Sequence, residues 1–243
     1  MLDKIYSGEY MPNFNLQQIL IRILVLTLSL SVHEYAHARV AYELGDDTAA
    51  RQGRLTLNPA AHIDPLGAIA FILAGFGWAK PVPVNPARFS RDKVKTMRSG
   101  MMRVAIAGPI SNLIISFIAN VIFQLIILII KIIGNFSLLN NPIFDVIFAI
   151  LNSFIYSNIF LAIFNMLPIP PLDGSRVLGA FLSDRAYAKY MQFQRYSFII
   201  MFILIFLGGG ILSRIMSFIS IPVQYVILYP VNVLFDFIGN FFV

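Results

Sequence analysis

The sequence predicts an all-α polytopic membrane protein: a helical bundle of about four to six membrane segments, with a re-entrant loop and a short extended edge segment. Three observations predict it. Hydrophobic residues fill 58% of the 243 positions and charged residues only 12%, against about 25% charged in a soluble domain. Apolar runs long enough to span a bilayer recur along the chain. Basic residues gather in two connecting stretches, 80–103 and 175–195, so the net charge of +6 reads as a topology signal. A single integral-membrane domain, 1–243, is the simplest division. The bilayer is then the expected surroundings. Nucleic acid is not an expected partner, because there is neither an aqueous basic face nor a binding motif.

From the N-terminus, residues 1–14 form an interfacial lead, with Tyr6, Tyr10 and Phe14 suited to a headgroup layer. Lys4, offset by Asp3 and Glu9, does not make the basic start of a signal peptide, so the first apolar run is expected to remain as an anchor. That run, 16–44, is the first span, and Gly45 stops it. Residues 51–65 are polar, and Pro59 and Pro65 exclude a regular helix. The apolar stretch 66–79 is only about two-thirds of a spanning length, which favours a re-entrant hairpin. Pro81, Pro83 and Pro86 favour an extended edge segment. Further spans are expected at 104–130, 143–166 and 196–217, the last interrupted by Gly208, Gly209 and Gly210. The tail 219–243, with Pro222 and Pro230, fits either another span or an interfacial element. With the basic stretches inside, 104–130 runs outward, and 143–166 and the first span run inward.

The first span contains His33-Glu34-Tyr35-Ala36-His37, an H-E-x-x-H pattern. On a helix, positions i and i+4 share a face, so both imidazoles can aim at one point. Glu34 projects about 100° around the helix, within reach of a water held there. Two neutral imidazoles suit Zn²⁺, and the carboxylate suits proton transfer. The pattern also arises by chance, but ionisable groups inside an apolar span are costly and mark function, and two of the chain's three histidines are spent here. His37 and His33 lie about 10 Å and about 16 Å from the inner end of the span.

A hydrolytic zinc takes three protein ligands and keeps one open position. The chain has no cysteine, so the third ligand is sought among His62, Asp64, Asp145 and Asp173. Asp145 falls at the outer end of its span. Asp173 comes after Pro168, Pro170 and Pro171, in broken backbone tolerated at membrane depth only beside protein or a water cavity. The same Pro-Leu-Asp-Gly is also ordinary turn chemistry, and on residues alone both readings of Asp173 stand. Asp64 precedes Pro65, a turn-starting arrangement, so His62 and Asp64 are expected to shape a loop near the site.

These stretches resemble the site-2 protease family of intramembrane zinc metalloproteases. The likeness rests on the H-E-x-x-H helix, on Gly108-Pro109-Ile110-Ser111-Asn112, and on Asn165 to Gly174, which reads N-x-x-P-x-P-P-L-D-G. Residues 57–67 resemble the compact prokaryotic branch, without PDZ or CBS domain. The resemblance implies one zinc per chain on His33, His37 and Asp173, with Glu34 catalytic. It implies that Asn165 is a catalytic amide; Asn112 is read either as a substrate-binding residue or as a helix-packing hydrogen bond. Val82 and Val84 in the edge segment are expected to pair with an unwound substrate strand. The implied activity is hydrolysis of peptide bonds in or near transmembrane segments of membrane-protein substrates, close to the cytoplasmic side of a prokaryotic cell membrane. One departure from the family is expected: the metal-binding helix reads as the first span, where some relatives have one before it. Two rival readings remain, a metal-ion transporter and a catalytically silent membrane scaffold. The transporter leaves Glu34 unexplained and lacks an inverted repeat.

Overall fold

The computed structural model describes residues 16–67, 79–203 and 209–242. Helix α1, Leu16–Glu43, has two faces. Ile21, Val25, Ser29, His33, His37 and Ala41 recur every four residues and are buried, whereas Leu16, Leu20, Leu24 and Leu28 are exposed. The metal motif therefore continues the inward stripe, and the leucines form the outward one. The helix ends in a Schellman motif: Asp46 N donates to Ala41 O and Gly45 N to Tyr42 O, with Gly45 at φ +107°. An L side chain is strained at that φ, and a Cβ there would also meet Ser90 Oγ at 2.6 Å.

Asp46, almost wholly buried, organises the segment after α1. Its carboxylate accepts from Thr48 N, which opens the short helix α2, Thr48–Arg51, and from Asn85 N at 2.6 Å. A 3₁₀ turn at Pro59–Ala61 is capped by Asn58. Most of the expected re-entrant stretch 66–79 lies outside the described residues, as does the lead 1–14. At its borders Asp64 Oδ1 accepts from Leu66 N and Gly67 N, and Ile63 pairs with Ala79 in an isolated antiparallel bridge. Among the described residues there is no sheet. The stretch 80–85 belongs to no helix or strand and is held by side chains: Arg54 donates to Lys80 O, Glu34 accepts from Val82 N, and Asp46 accepts from Asn85 N.

Helix α3, Met97–Ile133, is the centre of the bundle. Thr96 and Ser99 form a capping box, and Gly134 at φ +70° ends the helix. It begins within the basic stretch, a few residues earlier than its apolar run. It packs against α1, against α4, Pro142–Asn165, and against α5, Asp173–Phe181. Ala119, Phe123, Ile127 and Ile130 of α3 form the main core with Phe148, Ile155, Ile159 and Ile163 of α4. After α5 come α6, Asp184–Gln192, and α7, Ser197–Phe202.

The C-terminal region departs from the sequence expectation. A single helix, α8, runs Gly209–Gly239 with Pro222 and Pro230 inside it. Among the described residues the fourth helix long and apolar enough to cross a membrane is Leu212–Gly239, which takes up most of the tail left open between a span and an interfacial element; the middle of the expected span 196–217 lies outside the described residues. An interior proline removes one ladder bond but does not stop a helix whose other residues are apolar and set among neighbouring helices. With α1, α3 and α4 this makes four membrane-length helices among the described residues.

Candidate active site

Three helices converge on one point. α1 brings His33 and His37; the chain leaving α4 turns back and brings Asp173 as the first residue of α5. The turn closes tightly: a Cβ on Gly174 would run into the backbone carbonyls of Met166 and Leu167. Glycine after Asp173 therefore lets α5 begin against the end of α4. Farther out, Arg98 of α3 donates to Leu182 O at 3.0 Å, pairs with Asp184 and lies over the Tyr187 ring, while Tyr190 OH donates to Pro168 O. These contacts tie the α5–α6 pair to α3 and to the end of α4.

The ligand-type atoms form a near-equilateral triangle. His33 Nε2 and His37 Nε2 are 3.0 Å apart, and each is 3.2 Å from Asp173 Oδ2. The outer ring nitrogens fix what the inner ones carry. His37 Nδ1 lies 2.7 Å from the Val104 carbonyl, which only accepts, so Nδ1 holds the proton. His33 Nδ1 lies 2.5 Å from Asn112 Oδ1 and donates to it. In the neutral rings both Nε2 atoms are then lone pairs, facing each other and a carboxylate oxygen that lacks a hydrogen-bond partner. Only a positive centre shared by the three relieves that crowding. The donor set suits zinc: Zn–N and Zn–O bonds of about 2.0–2.1 Å in tetrahedral geometry put ligand atoms about 3.3 Å apart. Among the described residues this is the one cluster of three such groups placed to hold a metal ion.

The G-P-x-x-N stretch of α3 faces this triangle. A Cβ on Gly108 would lie 2.5 Å from both His33 Cε1 and His37 Nε2. Pro109 leaves the helical ladder one donor short in the same turn. Asn112, read from sequence as either a substrate contact or a helix-packing amide, is fully buried behind His33, with its amide nitrogen on Asn158 Oδ1 at 2.7 Å. No atom of it is exposed to meet a substrate.

The other expected residues divide. Glu34 is buried beside the triangle in sequence, and its Oε2 accepts from Val82 N at 2.8 Å, so the edge segment does reach the motif helix. Val84 packs against the cluster of Ala41, Leu44, Phe89 and Val104. Asn165 is the last residue of α4, and its amide nitrogen rests on Leu161 O at 3.0 Å. His62 is buried in the loop with Nε2 on Thr56 O, outside the three-residue cluster. Sequence reading missed Ser29, Asn158 and the Val104 carbonyl. A signal existed for the first two: Ser29 lies one turn before His33, and Asn158 two turns before Asn165, both in otherwise apolar runs.

A buried His-His-Asp triangle inside a bundle of membrane-length helices defines a polytopic membrane protein of the metallohydrolase type. Comparison with known proteins gives the family. The model for peptidase family M50 matches residues 125–208. The chain is 41% identical over 186 residues to "Putative zinc metalloprotease YwhC" of Bacillus subtilis (strain 168), covering 75% of this chain and 78% of that protein. It is 28% identical to "Putative zinc metalloprotease Rip2" of Mycobacterium tuberculosis (strain ATCC 25618 / H37Rv), over 75% of this chain and 66% of that one. It is also 30% identical to "Putative zinc metalloprotease MJ0611" of Methanocaldococcus jannaschii, over 69% of this chain and 73% of that one. No solved structure matches. The chain belongs to peptidase family M50, the site-2 protease family of zinc metalloproteases.

Proposed function

We propose that this zinc metalloprotease cuts membrane-protein substrates within or beside a transmembrane segment, near the cytoplasmic face, using one zinc per chain on His33, His37 and Asp173. The observation that carries the reading is the triangle of two Nε2 lone pairs and Asp173 Oδ2, buried among helices long enough to cross a membrane. Bound there, zinc would supply Lewis acidity, making water a nucleophile at neutral pH and polarising the scissile carbonyl.

The chain's own residues do the rest. Glu34 takes the attacking water's proton on its carboxylate and passes it to the leaving nitrogen. Its Oε2 is held by Val82 N–H, which leaves Oε1 for the water. A helical substrate hides its peptide bonds and must unwind. Pro81 and Pro83 have no N–H, so Val82 and Val84 are the donors of that stretch, and in an extended chain alternate N–H groups share one side. Val82 N–H is spent on Glu34, so a substrate strand would pair through Val84 N–H and the carbonyls of the stretch, beside the catalytic carboxylate. The Asn165 amide, released from Leu161 O, is the donor for the oxygen on which charge develops.

The depth of the site supports the cytoplasmic assignment. His37 and His33 lie about 9 Å and about 15 Å from the end of α1 at Glu43. That end is tied to the basic stretch by Ser90 N to Leu44 O and Lys93 Nζ to Glu43 O, both 2.8 Å. Basic connecting segments stay in the cytoplasm.

The test is Glu34→Gln, purified in detergent and incubated with a single-span substrate. Cleavage is expected to fall about 10²–10⁴-fold with zinc content unchanged. A Gln variant that cleaves at the wild-type rate removes Glu34 from the chemistry.

A further inference from the structure

The most deeply buried polar side chains lie behind the triangle. Ser29 on α1, Asn112 on α3 and Asn158 on α4 all have no exposed surface. They form one chain of hydrogen bonds, and its direction can be worked out from a single fixed point. The Phe154 carbonyl can only accept, so the Asn158 atom 2.8 Å from it is the amide nitrogen. That nitrogen's second hydrogen goes to Ser29 Oγ, also at 2.8 Å. Asn158 Oδ1 therefore faces Asn112, and the Asn112 atom 2.7 Å away is its nitrogen, because two amide oxygens would repel. Asn112 Oδ1 is left facing His33 Nδ1.

The two histidines are thus controlled differently. His37 takes its tautomer straight from a backbone carbonyl, whose identity is fixed. His33 takes its own from Asn112, which could face it with either end. A donor end would put the lone pair on Nδ1 and the proton on Nε2, inside the triangle, where it would block a metal.

We infer that Asn158 is a positioning residue: acting through Asn112, it holds His33 with its proton on Nδ1 and so keeps Nε2 free as a metal ligand. This rests on the proposed role of His33 as a ligand. An outer partner of this kind typically carries about tenfold to a hundredfold in metal affinity. Ser29 supports the Asn158 amide from the helix that carries His33, so the relay spans three of the four membrane-length helices.

The test uses the full-length protein in detergent with two readouts. One is zinc affinity by chelator competition. The other is the imidazole ¹⁵N spectrum of the zinc-free, histidine-labelled protein, which has only three histidines and separates Nδ1–H from Nε2–H rings. Asn158→Ala is expected to weaken zinc binding about tenfold to a hundredfold and to give His33 a mixed tautomer. Asn112→Asp should cancel that loss, since a carboxylate accepts through either oxygen and needs no partner to choose its face. The double variant should therefore bind zinc at least as tightly as Asn112→Asp alone, in which the carboxylate still faces Asn158 Oδ1. In case Asn158→Ala does not fold, Asn158→Asp keeps the acceptor towards Asn112 while losing the donors to Phe154 and Ser29, and is expected to leave the His33 tautomer unchanged.

Wild-type affinity in Asn158→Ala, an uncancelled loss in the double variant, or an altered tautomer in Asn158→Asp would each overturn the relay. His33→Ala separates the two levels. If it keeps zinc, the metal-site reading fails and takes the relay with it; if it loses zinc while Asn158→Ala does not, only the relay fails.

Discussion

Helix α3 carries two buried amide clusters that do different work. At Asn112 it meets α1 and α4, and the cluster ends on an imidazole of the metal triangle. Two and three turns farther on, Asn120 and Gln124 both donate to Asn232 Oδ1 of α8, at 3.0 and 2.8 Å. Here the chain of bonds ends on Asn232, aided by a 3.8 Å pair between Lys131 and Asp236. The surroundings differ as well. Only 11% of the apolar window of α8 is buried, against 33% for α1 and 39% for α3. Lipid is as apolar as a leucine side chain, so apolar contact alone drives helices together weakly in a membrane and interhelical hydrogen bonds act as glue. One residue type thus orients a functional ring at one level of α3 and fastens a thinly packed helix at another. What separates the roles is whether the last group in the chain has a proton to place.

The contrast can be sharpened from either side. The largest effect is expected at the exit of α4. Asn165→Ala should keep zinc and fold but lose about 10²–10³ in kcat, the usual cost of an oxyanion donor. Single-turnover cleavage by the zinc-loaded variant measures it, and a wild-type rate would leave that amide with its Leu161 contact alone. Next comes Gly108→Ala. Its methyl would sit on both histidine rings, and displacing packed groups costs about 1–3 kcal/mol, or roughly tenfold to a hundredfold in zinc affinity. Gly239→Ala is the matched control on α8: the nearest atoms, on Lys131, lie at 3.4 Å, at the end of a flexible side chain. Chelator competition on the two variants should show a loss in the first and none in the second. Equal losses would dissolve the distinction between a tight half and a loose half. The smallest effect is expected for Asn232→Ala. It removes two interhelical hydrogen bonds at an average of about 0.6 kcal/mol each in a membrane, so thermal stability should fall by about 1 kcal/mol with zinc binding untouched. A loss of zinc in that variant would show that the α8 clasp reaches the site.

The all-helical membrane fold was legible in the sequence, and so were the residues of the candidate site, for physical reasons. His33, Glu34 and His37 announce themselves because ionisable groups in an apolar run are costly and because their spacing fits one helix face. Asp173 stood open on residues alone, since a Pro-Leu-Asp-Gly turn and a ligand-bearing turn look the same; the family resemblance favours the ligand, and the structure brings Asp173 Oδ2 to 3.2 Å from both histidines. Asn112 stood open between a substrate contact and a helix-packing hydrogen bond, because pattern shows that an amide lies near a span but not which way it faces. Asn158 was overlooked because one polar residue in a long apolar run is also common helix glue. The course of α8 stayed open because the three glycines and two prolines near it punctuate a soluble chain, whereas helices at membrane depth tolerate both.

The central claim is that His33, His37 and Asp173 together hold the metal. Elemental analysis of purified wild type beside Asp173→Ala tests it most directly, because Asp173 is the member that sequence alone left undecided and that joins α5 to α1. One zinc per wild-type chain, lost in Asp173→Ala while the detergent-solubilised protein stays folded, is the expected result. An Asp173→Ala protein with full zinc occupancy would contradict it.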